Sequence, residues 1–173
     1  MSSSSQTGER TFLTFFLGQE LYGLHIATVR EVLEYTSITK VPKAAESMRG
    51  VINVRGHAVP VIDMRKQFGL EEAERTVDTC IIIVEPEMHG QLVTTGILVD
   101  GVQEVLHIAA EDVEPAPKLG SSIDSRVIQG MGKVDDRFVI LLDMQEMFRH
   151  QGQLTAREAP AGFRSCSEAE MIQ

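Results

Sequence analysis

The sequence predicts a mainly β fold in which two related halves complete a shared core, with only short helices. The first observation behind this prediction is an internal repeat: residues 23–33 align with residues 96–106, and residues 50–68 align with residues 130–148. Matching pairs include Gly23/Gly96, Val29/Val102, Glu31/Glu104, Val32/Val105, Leu33/Leu106, Gly50/Gly130, Val54/Val134, Val59/Val139, Asp63/Asp143, Met64/Met144 and Phe68/Phe148. Because two copies are too few for a solenoid, the halves are expected to pack on each other.

Composition is the second observation. The 173-residue chain has no Trp and only 5% aromatic residues, so its core must come from aliphatic side chains and Met. Many of these side chains are β-branched, which favours strands. A half of this chain would bury too small a fraction of its surface to be comfortably stable alone, and this also favours a shared interface.

Strand–turn–strand patterns open both halves. In the first half, a tight turn at Gly18 separates residues 11–17 from residues 21–24. In the second half, a longer turn-rich segment separates residues 79–84 from residues 91–99. Both patterns predict pairs of strands joined by a turn.

The segment after the first of these pairs is ambiguous by pattern. Residues 26–33 carry apolar side chains on one helical face, and this spacing predicts a short helix. The matching segment of the second half contains Gly101, which favours a strand there.

The late part of each half is a predicted hairpin followed by a short helix. The hairpins cover residues 51–62 and 134–142, and Gly56 supplies the positive φ that such a turn needs. Asp63 and Asp143 then occupy the N-cap position before apolar residues at helical spacing. Since the aspartates recur at the same place in both halves, helix capping is favoured over catalysis.

The chain is predicted to have three parts. The Ser-rich residues 1–10 form a disordered tail, residues 11–150 form the folded body, and residues 151–173 form a flexible tail. Within the body, a charged crossing divides subdomain one, about residues 11–75, from subdomain two, about residues 76–150.

Charge and hydropathy argue against several classes of partner. The formal net charge is −9 with a pI near 5.0, and the basic residues are scattered, so no nucleic acid partner is expected. No stretch approaches the roughly 18 consecutive apolar residues of a membrane-spanning helix, and the first residues lack the apolar segment of a signal peptide. We therefore expect a cytoplasmic protein without direct membrane insertion.

Motifs for catalysis or cofactor binding are missing from the sequence. It contains no P-loop, dinucleotide-binding, zinc-protease or nucleophile-elbow pattern. The histidines share no metal-ligand spacing, and Cys80 and Cys166 form no Cys-x-x-Cys pair. We expect no enzyme activity, no cofactor and no metal. The alternative, a small-ligand-binding or enzymatic β-barrel, would need a pocket with convergent polar groups.

One difference between the halves singles out Arg55. The turn of the first late hairpin is Arg55-Gly56, whereas the matching turn of the second is Asp135-Asp136. The fold therefore does not require arginine at this turn, which favours a binding role for Arg55. The alternative is an exposed arginine in a local salt bridge that contributes little to stability.

The ordered set of these segments resembles the CheW family, whose CheW-like domain also occurs as a free-standing bacterial chemotaxis adaptor. Coverage runs from about Thr11 to Arg149. The resemblance rests on residues 22–32, 50–56, 59–63, 96–106, 108–117 and 130–132. It implies two SH3-like five-stranded β-barrels packed together, in agreement with the two-copy interpretation.

The resemblance also implies partners and a location. Such an adaptor bridges the cytoplasmic tips of methyl-accepting chemoreceptors to the regulatory domain of the histidine kinase CheA, with no chemistry of its own. It would lie at the inner face of the membrane through the receptor array. A related scaffold of a pilus, gliding or second-messenger array would show the same features, and only the binding partner separates these alternatives.

A receptor-binding groove between the subdomains is the site that the resemblance implies. The matching residues are Val29, Glu31, Gly50, Arg55, Val99 and Val102. The valines would accept a helical receptor hairpin, and the charged pair would fix its register at the rim. Gly50 would let a backbone approach where a Cβ would obstruct it. The alternative for each valine is a place in the core.

Overall fold

Thirteen strands and four short helices make up the computed structural model, which describes residues 9–116 and 126–149. The first half contributes β1 (Glu9–Leu17), β2 (Glu20–His25), β3 (Val29–Glu34), β4 (Met48–Val54) and β5 (His57–Asp63). The second half contributes β6 (Cys80–Val84), β7 (Glu87–Met88), β8 (Gln91–Leu92), β9 (Thr95–Val99), β10 (Gly101–Ala109), β11 (Val113–Glu114), β12 (Ile128–Val134) and β13 (Arg137–Leu142). The helices are two 3₁₀ helices, Ile26–Thr28 and Ala110–Asp112, and two α-helices, α1 (Met64–Gln67) and α2 (144–149).

The two halves exchange strands between two large sheets. Sheet A has the strand order β10-β1-β2-β13-β12-β11, and sheet B has the order β3-β6-β9-β5-β4. The first two strands of the first half thus complete the sheet of the second half, while β6 and β9 complete the sheet of the first. The predicted subdomains, about residues 11–75 and 76–150, do not coincide with the sheets, because each sheet contains strands from both sides of that boundary.

Each exchanged strand pair lies in the middle of its host sheet. In sheet A, β1 pairs antiparallel with β10 and β2 pairs parallel with β13. In sheet B, β6 pairs antiparallel with β3 and β9 pairs parallel with β5. Without the exchanged pairs, β10 and β3 would lose their neighbours in the sheets and would be separated from β13 and β5, so neither sheet is complete without the other half of the chain.

The central strands are buried on both faces. In β6, Cys80, Ile82 and Val84 belong to a core shared by the two sheets, whereas Ile81 and Ile83 belong to a second core within sheet B. This alternation follows from the period of two along a strand, and it explains why β6 is an uninterrupted apolar run. Burial raises the pKa of the Cys80 thiol, which is a core group as its apolar surroundings in the sequence suggest.

The shared core draws side chains from both sheets and both halves, as the repeat predicted. Its buried members are Leu13, Phe15, Leu17, Tyr22, Leu24, Ile62, Met64, Phe68, Cys80, Ile82, Val84, Ile97, Val99, Val127, Leu142, Met144, Met147 and Phe148. Full burial of an aliphatic side chain of this size contributes about 1.5–3 kcal/mol. The two sheets are therefore held together by the largest apolar cluster of the described residues.

The prediction of a helix over residues 26–33 is wrong for most of that segment. The 3₁₀ helix ends at Thr28 and β3 begins at Val29. Pairing of β3 with β6 continues to Glu34, opposite Cys80. The hydrogen bonds of this ladder outweigh a weak local preference for helix.

The predicted N-terminal tail is too long by two residues, because Glu9 and Arg10 already pair with β10. Residues 1–8 and the predicted tail 151–173 lie outside the described residues. The two predicted helix caps are confirmed: Asp63 Oδ1 accepts a hydrogen bond from Arg65 N–H at 3.0 Å, and Asp143 Oδ1 accepts one from Glu146 N–H at 3.1 Å.

Short connections and loop residues hold the outer strands of both sheets in place. In sheet A, the three-residue 3₁₀ helix Ala110–Asp112 joins the outer strands β10 and β11, which requires the sheet to curl. In sheet B, Thr39 pairs with Val51 on the outer edge of β4 through two hydrogen bonds of 2.8 Å. Sheet B has the predicted five strands and sheet A has six, and full closure into barrels stays a prediction.

The crossing of Thr39 over β4 explains Gly50. Gly50 has a φ of +148°, and a Cβ at this position would lie 2.1 Å from the carbonyl oxygen of Thr39. Gly56 also has a positive φ, +86°, but a Cβ there would meet no atom within 4 Å. Gly50 is therefore needed both for its positive φ and for the close approach of the Thr39 backbone. Gly56 is needed for its positive φ alone.

We expect Gly50→Ala to destabilise the protein by about 3 kcal/mol or more, because backbone strain adds to overlap with a neighbouring backbone that cannot move away. Gly56→Ala is the matched control and should cost only about 1 kcal/mol, since it introduces strain without overlap. Thermal unfolding of both variants by circular dichroism measures the difference. Equal losses of Tm would contradict the account of the Thr39 crossing.

Candidate functional site

The β4–β5 turn presents Arg55 at the surface of sheet B. Arg55, with a φ of +52°, and Gly56, with a φ of +86°, form a two-residue turn whose twist matches that of the flanking strands. Asn53 Oδ1 accepts a hydrogen bond from Gly56 N–H at 2.7 Å. Since Gly56 and Asn53 stabilise the turn, the Arg55 side chain is not needed to close it.

Arg55 forms a bidentate ion pair with Glu31 of β3. Arg55 Nη1 donates to Glu31 Oε2 at 2.7 Å, and Nη2 donates to Oε1 at 2.8 Å. Because β3 and β4 are the outer strands of sheet B, the ion pair links the two edges of the sheet. The structure thus brings together two of the six residues predicted for the site.

Both partners of this ion pair are charged and accessible. The hydrogen bond from Arg55 holds the pKa of the Glu31 carboxyl below its ordinary value, and the same bond raises the pKa of Arg55. The Arg55 side chain is 67% exposed and the Glu31 side chain is 23% exposed. The guanidinium has N–H donors beyond the two that bind Glu31, so it could bind a second acidic or polar group.

The three valines of the predicted site have two different environments. Val29 at the start of β3 and Val102 near the start of β10 are half-buried and pack against the shared core. Val99 is only 1% exposed and belongs to that core. Val29 and Val102 therefore offer apolar surface, whereas Val99 lies beneath the surface and supports it.

A contact within the chain itself explains why residue 50 is a glycine. The backbone that approaches it is that of Thr39 in the same chain, as described above. Gly50 thus shapes the strand that leads to Arg55 by permitting the Thr39 crossing.

Sequence reasoning missed a second ion pair, between Arg65 of α1 and Asp100 at the junction of β9 and β10. Arg65 Nε donates to Asp100 Oδ1 at 2.9 Å, and Nη2 donates to Oδ2 at 2.6 Å. Gly18 N–H also donates to Oδ2 at 2.6 Å. The repeat contained a signal for this pair. When Gly23 is aligned with Gly96, the second half has the charged residue Asp100 where the first half has Ala27.

The surroundings of Asp100 favour its charged form. Partial burial by itself would raise the pKa of the Asp100 carboxyl, but the hydrogen bonds from Arg65 and from Gly18 N–H outweigh it. The pKa consequently lies below the ordinary value for an aspartate. The same pairing raises the pKa of Arg65, so the bidentate interaction is fully formed at neutral pH.

The family comparison identifies the kind of domain that carries this site. Residues 11–152 match the sequence pattern of the CheW-like domain. The chain belongs to the CheW-like domain family. This match spans the whole predicted body and confirms the resemblance that the ordered segments carry.

Individual relatives agree with membership of the CheW-like family. The chain is 34% identical over 144 residues to the chemotaxis protein CheW of Klebsiella aerogenes, covering 83% of this chain and 84% of that protein. It is 29% identical over 157 residues to the chemotaxis protein CheW of Bacillus subtilis, covering 90% of this chain and 97% of that protein. These names are those of chemotaxis proteins rather than enzymes, in agreement with the expectation of no catalytic role.

A solved structure confirms the fold class of this CheW-like domain. The crystal structure of the scaffolding protein TtCheW from Thermoanaerobacter tengcongensis matches with a TM-score of 0.72 at 39% identity, covering 81% of this chain and 88% of that chain. The mainly β architecture with two packed sheets and short helices is therefore shared with a CheW scaffold.

A cleft of about 520 Å³ opens beside the β4–β5 turn, and His57 is the titratable residue in its lining. Within residues 9–116 and 126–149, no three His, Cys, Asp or Glu side chains lie close enough together to hold a metal ion. The same part of the chain contains no helix that is long and apolar enough to span a membrane.

We expect the Arg65–Asp100 pair to make stability depend on acid pH. The folded-state pKa of Asp100 is depressed, so the pair stabilises the protein above about pH 4 and loses this effect as the pH falls through the folded pKa. Thermal unfolding of wild type and Asp100→Asn between neutral and acid pH should show a Tm difference that shrinks towards low pH. A Tm difference that stays constant with pH would contradict this role of Asp100.

Proposed function

We propose that this protein is a non-enzymatic coupling protein of a chemotaxis array. It bridges the cytoplasmic tips of methyl-accepting chemoreceptors to the regulatory domain of the histidine kinase CheA, and it thereby supports array assembly and receptor control of kinase activity. Family membership and the names of the relatives support this proposal. The observation that carries it is the exposed ion pair of Arg55 and Glu31.

We propose a binding role for this ion pair in addition to its link between the two edges of sheet B. Exposed ion pairs contribute little to stability, and the matching turn of the second half, which begins at Asp135, joins β12 and β13 without an arginine. A charged pair at the surface is better suited to steer a partner and fix its orientation. Arg55 is therefore proposed to contact the partner directly while Glu31 holds its side chain in place.

Val29 and Val102 supply the apolar part of the proposed docking surface. Val29 lies on β3, the strand that carries Glu31, and both valines rest on the shared core. A helical hairpin such as a receptor tip would bury its apolar face on these valines and place an acidic side chain against Arg55. Val99 would act from beneath by supporting Val102, and Gly50 by permitting the crossing of Thr39.

The proposed location follows from the proposed partners. The protein would be cytoplasmic and would gather at the inner face of the membrane through the receptor array, without membrane insertion or nucleic acid of its own. A scaffold of a pilus, gliding or second-messenger array would use the same surface with another receptor. The receptor that binds in the experiment below distinguishes these arrays.

We expect Arg55→Glu to weaken receptor control of the kinase by about tenfold or more, because it places a like charge beside Glu31 and against an acidic partner. Purified protein, a receptor cytoplasmic fragment and CheA are combined, and receptor-dependent kinase activity is measured. Tm should change by only about 2 °C, since the side chain is exposed.

Arg30 provides a matched control for this experiment. Arg30 is the neighbour of Glu31 in β3, it is 57% exposed, and its Nη1 lies 2.6 Å from Glu85 Oε2. Arg30→Glu makes the same charge change, also close to Glu31, but leaves the guanidinium of Arg55 in place, so coupling should be retained. Equal loss of coupling in both variants would mean that net charge, rather than Arg55, controls docking.

The double variant Glu31→Arg/Arg55→Glu distinguishes direct contact between Arg55 and the partner from a role of the ion pair within this protein alone. It restores attraction between the two side chains but reverses the charge presented by the β4–β5 turn. We expect receptor-dependent kinase activity to stay as low as in Arg55→Glu. Full recovery of activity would assign the pair an internal role alone and would contradict direct contact by Arg55.

A further inference from the structure

The chain passes between the two sheets at two places along the described strands. The first crossing is the 3₁₀ helix Ile26–Thr28, which leads from β2 in sheet A to β3 in sheet B. The second crossing is a single residue, Asp100, between the end of β9 in sheet B and the start of β10 in sheet A. A one-residue connection leaves little freedom in how the two strands meet, so contacts at Asp100 bear directly on the angle between the sheets.

Asp100 is bound to elements on both sides of this junction. Its carboxylate accepts hydrogen bonds from Arg65 Nε and Nη2, and Arg65 lies on α1, which directly follows β5 of sheet B. The carboxylate also accepts from Gly18 N–H in the turn between β1 and β2 of sheet A. Asp100 N–H in turn donates to Phe16 O of β1 at 3.0 Å. One residue thus connects α1, β1 and the β1–β2 turn.

Arg65 is itself held in one position. Its backbone N–H donates to Asp63 Oδ1 at 3.0 Å, and its Nη1 donates to Glu71 O at 2.9 Å. Its side chain is 20% exposed and that of Asp100 is 29% exposed, so the pair is less accessible to solvent than the pair of Arg55 and Glu31. Bidentate, charge-assisted hydrogen bonds in such a place are strong and geometrically specific.

Within residues 9–116 and 126–149, the first crossing makes no hydrogen-bonded link between the sheets comparable to that of Asp100. His25 Nδ1 accepts from Ala27 N–H at 3.2 Å, and Thr28 Oγ1 donates to His25 O at 2.8 Å, which are both local contacts. Thr28 O accepts from Glu85 N–H, which follows β6 of the same sheet B as β3. The repeat places Ala27 at the position of Asp100, so the first crossing has no counterpart of the Asp100 carboxylate.

We propose that Arg65 and Asp100 form a clamp that fixes the angle between sheets A and B. Without this clamp the apolar shared core still holds the sheets together, but apolar packing is not directional and permits small rotations. The clamp acts on the docking surface because Asp100 follows Val99 immediately and is separated from Val102 only by Gly101. The effect on docking rests on the proposed function, whereas the effect on the sheet angle does not.

The angle between the sheets can be measured without any partner by pulsed electron paramagnetic resonance. Spin labels are placed at His57→Cys in sheet B and Lys133→Cys in sheet A, both exposed positions, in a Cys80→Ala/Cys166→Ser background. The distance distribution is compared between the unaltered clamp, Asp100→Asn and Arg65→Gln. Arg30→Gln, which removes an exposed ion pair at another place in sheet B, is the matched control.

We expect Asp100→Asn and Arg65→Gln to broaden or shift the distance distribution, while Arg30→Gln leaves it unchanged. The unlabelled clamp variants should bind the receptor fragment about 5-fold or more weakly, with Arg65→Lys intermediate because it keeps the charge but loses the bidentate geometry. A distribution that is unchanged in both folded clamp variants would overturn the clamp. If the distribution broadens and receptor binding is unaffected, the link to docking is overturned.

Failure of the proposed function gives a different pattern. If the unaltered protein binds neither receptor fragment nor kinase, the proposed function fails, and the spin-label distances still decide whether the clamp exists. Should one clamp variant fail to fold, the other provides the comparison, because Asn is nearly isosteric with Asp and keeps an acceptor for Gly18 N–H.

Discussion

Each half of the chain places its first two long strands in the sheet of the other half, and this exchange is the constraint on which the rest of the structure depends. Sheet A cannot form without β1 and β2, and sheet B cannot form without β6 and β9, because these strands lie in the middle of their sheets. A half of this size would bury too little apolar surface alone. The exchange therefore makes the two halves one folding unit, with the shared core between the sheets as its largest apolar cluster.

The exchange also determines where a partner can bind. The central strands are buried on both faces, so the surface consists of outer strands, turns and the two crossings between sheets. The ion pair of Arg55 and Glu31 joins the outer strands of sheet B. In the chain, Val29 directly follows the first crossing, and Val102 comes two residues after Asp100 of the second. The candidate site is therefore built from outer strands, a turn and residues that follow the crossings, which contribute less to the core than the central strands do. Buried Val99 supports these parts from below.

The internal repeat is enough to predict the late hairpins, the Asp63 cap and the shared core, because each follows from a local pattern of residues. It is not enough to predict the exchange, since β1–β2 and β6–β9 have similar apolar patterns and either pair could complete either sheet. The difference between the halves singles out Arg55 and the family resemblance adds Glu31, but the direct ion pair between them becomes apparent only in the folded sheet B. The repeat marks Asp100 by its difference from Ala27, but the pairing of Asp100 with Arg65 is hidden for the same reason, because Arg65 lies on a separate helix.

The most direct test of the exchange is to divide the chain at the predicted boundary into fragments 1–75 and 76–173. Circular dichroism then follows strand content and thermal unfolding of each fragment alone and of the equimolar mixture. The exchange predicts that neither fragment unfolds cooperatively by itself and that mixing restores a cooperative transition, because each sheet needs strands from both fragments. Two fragments that each unfold cooperatively alone, with no change on mixing, would contradict it.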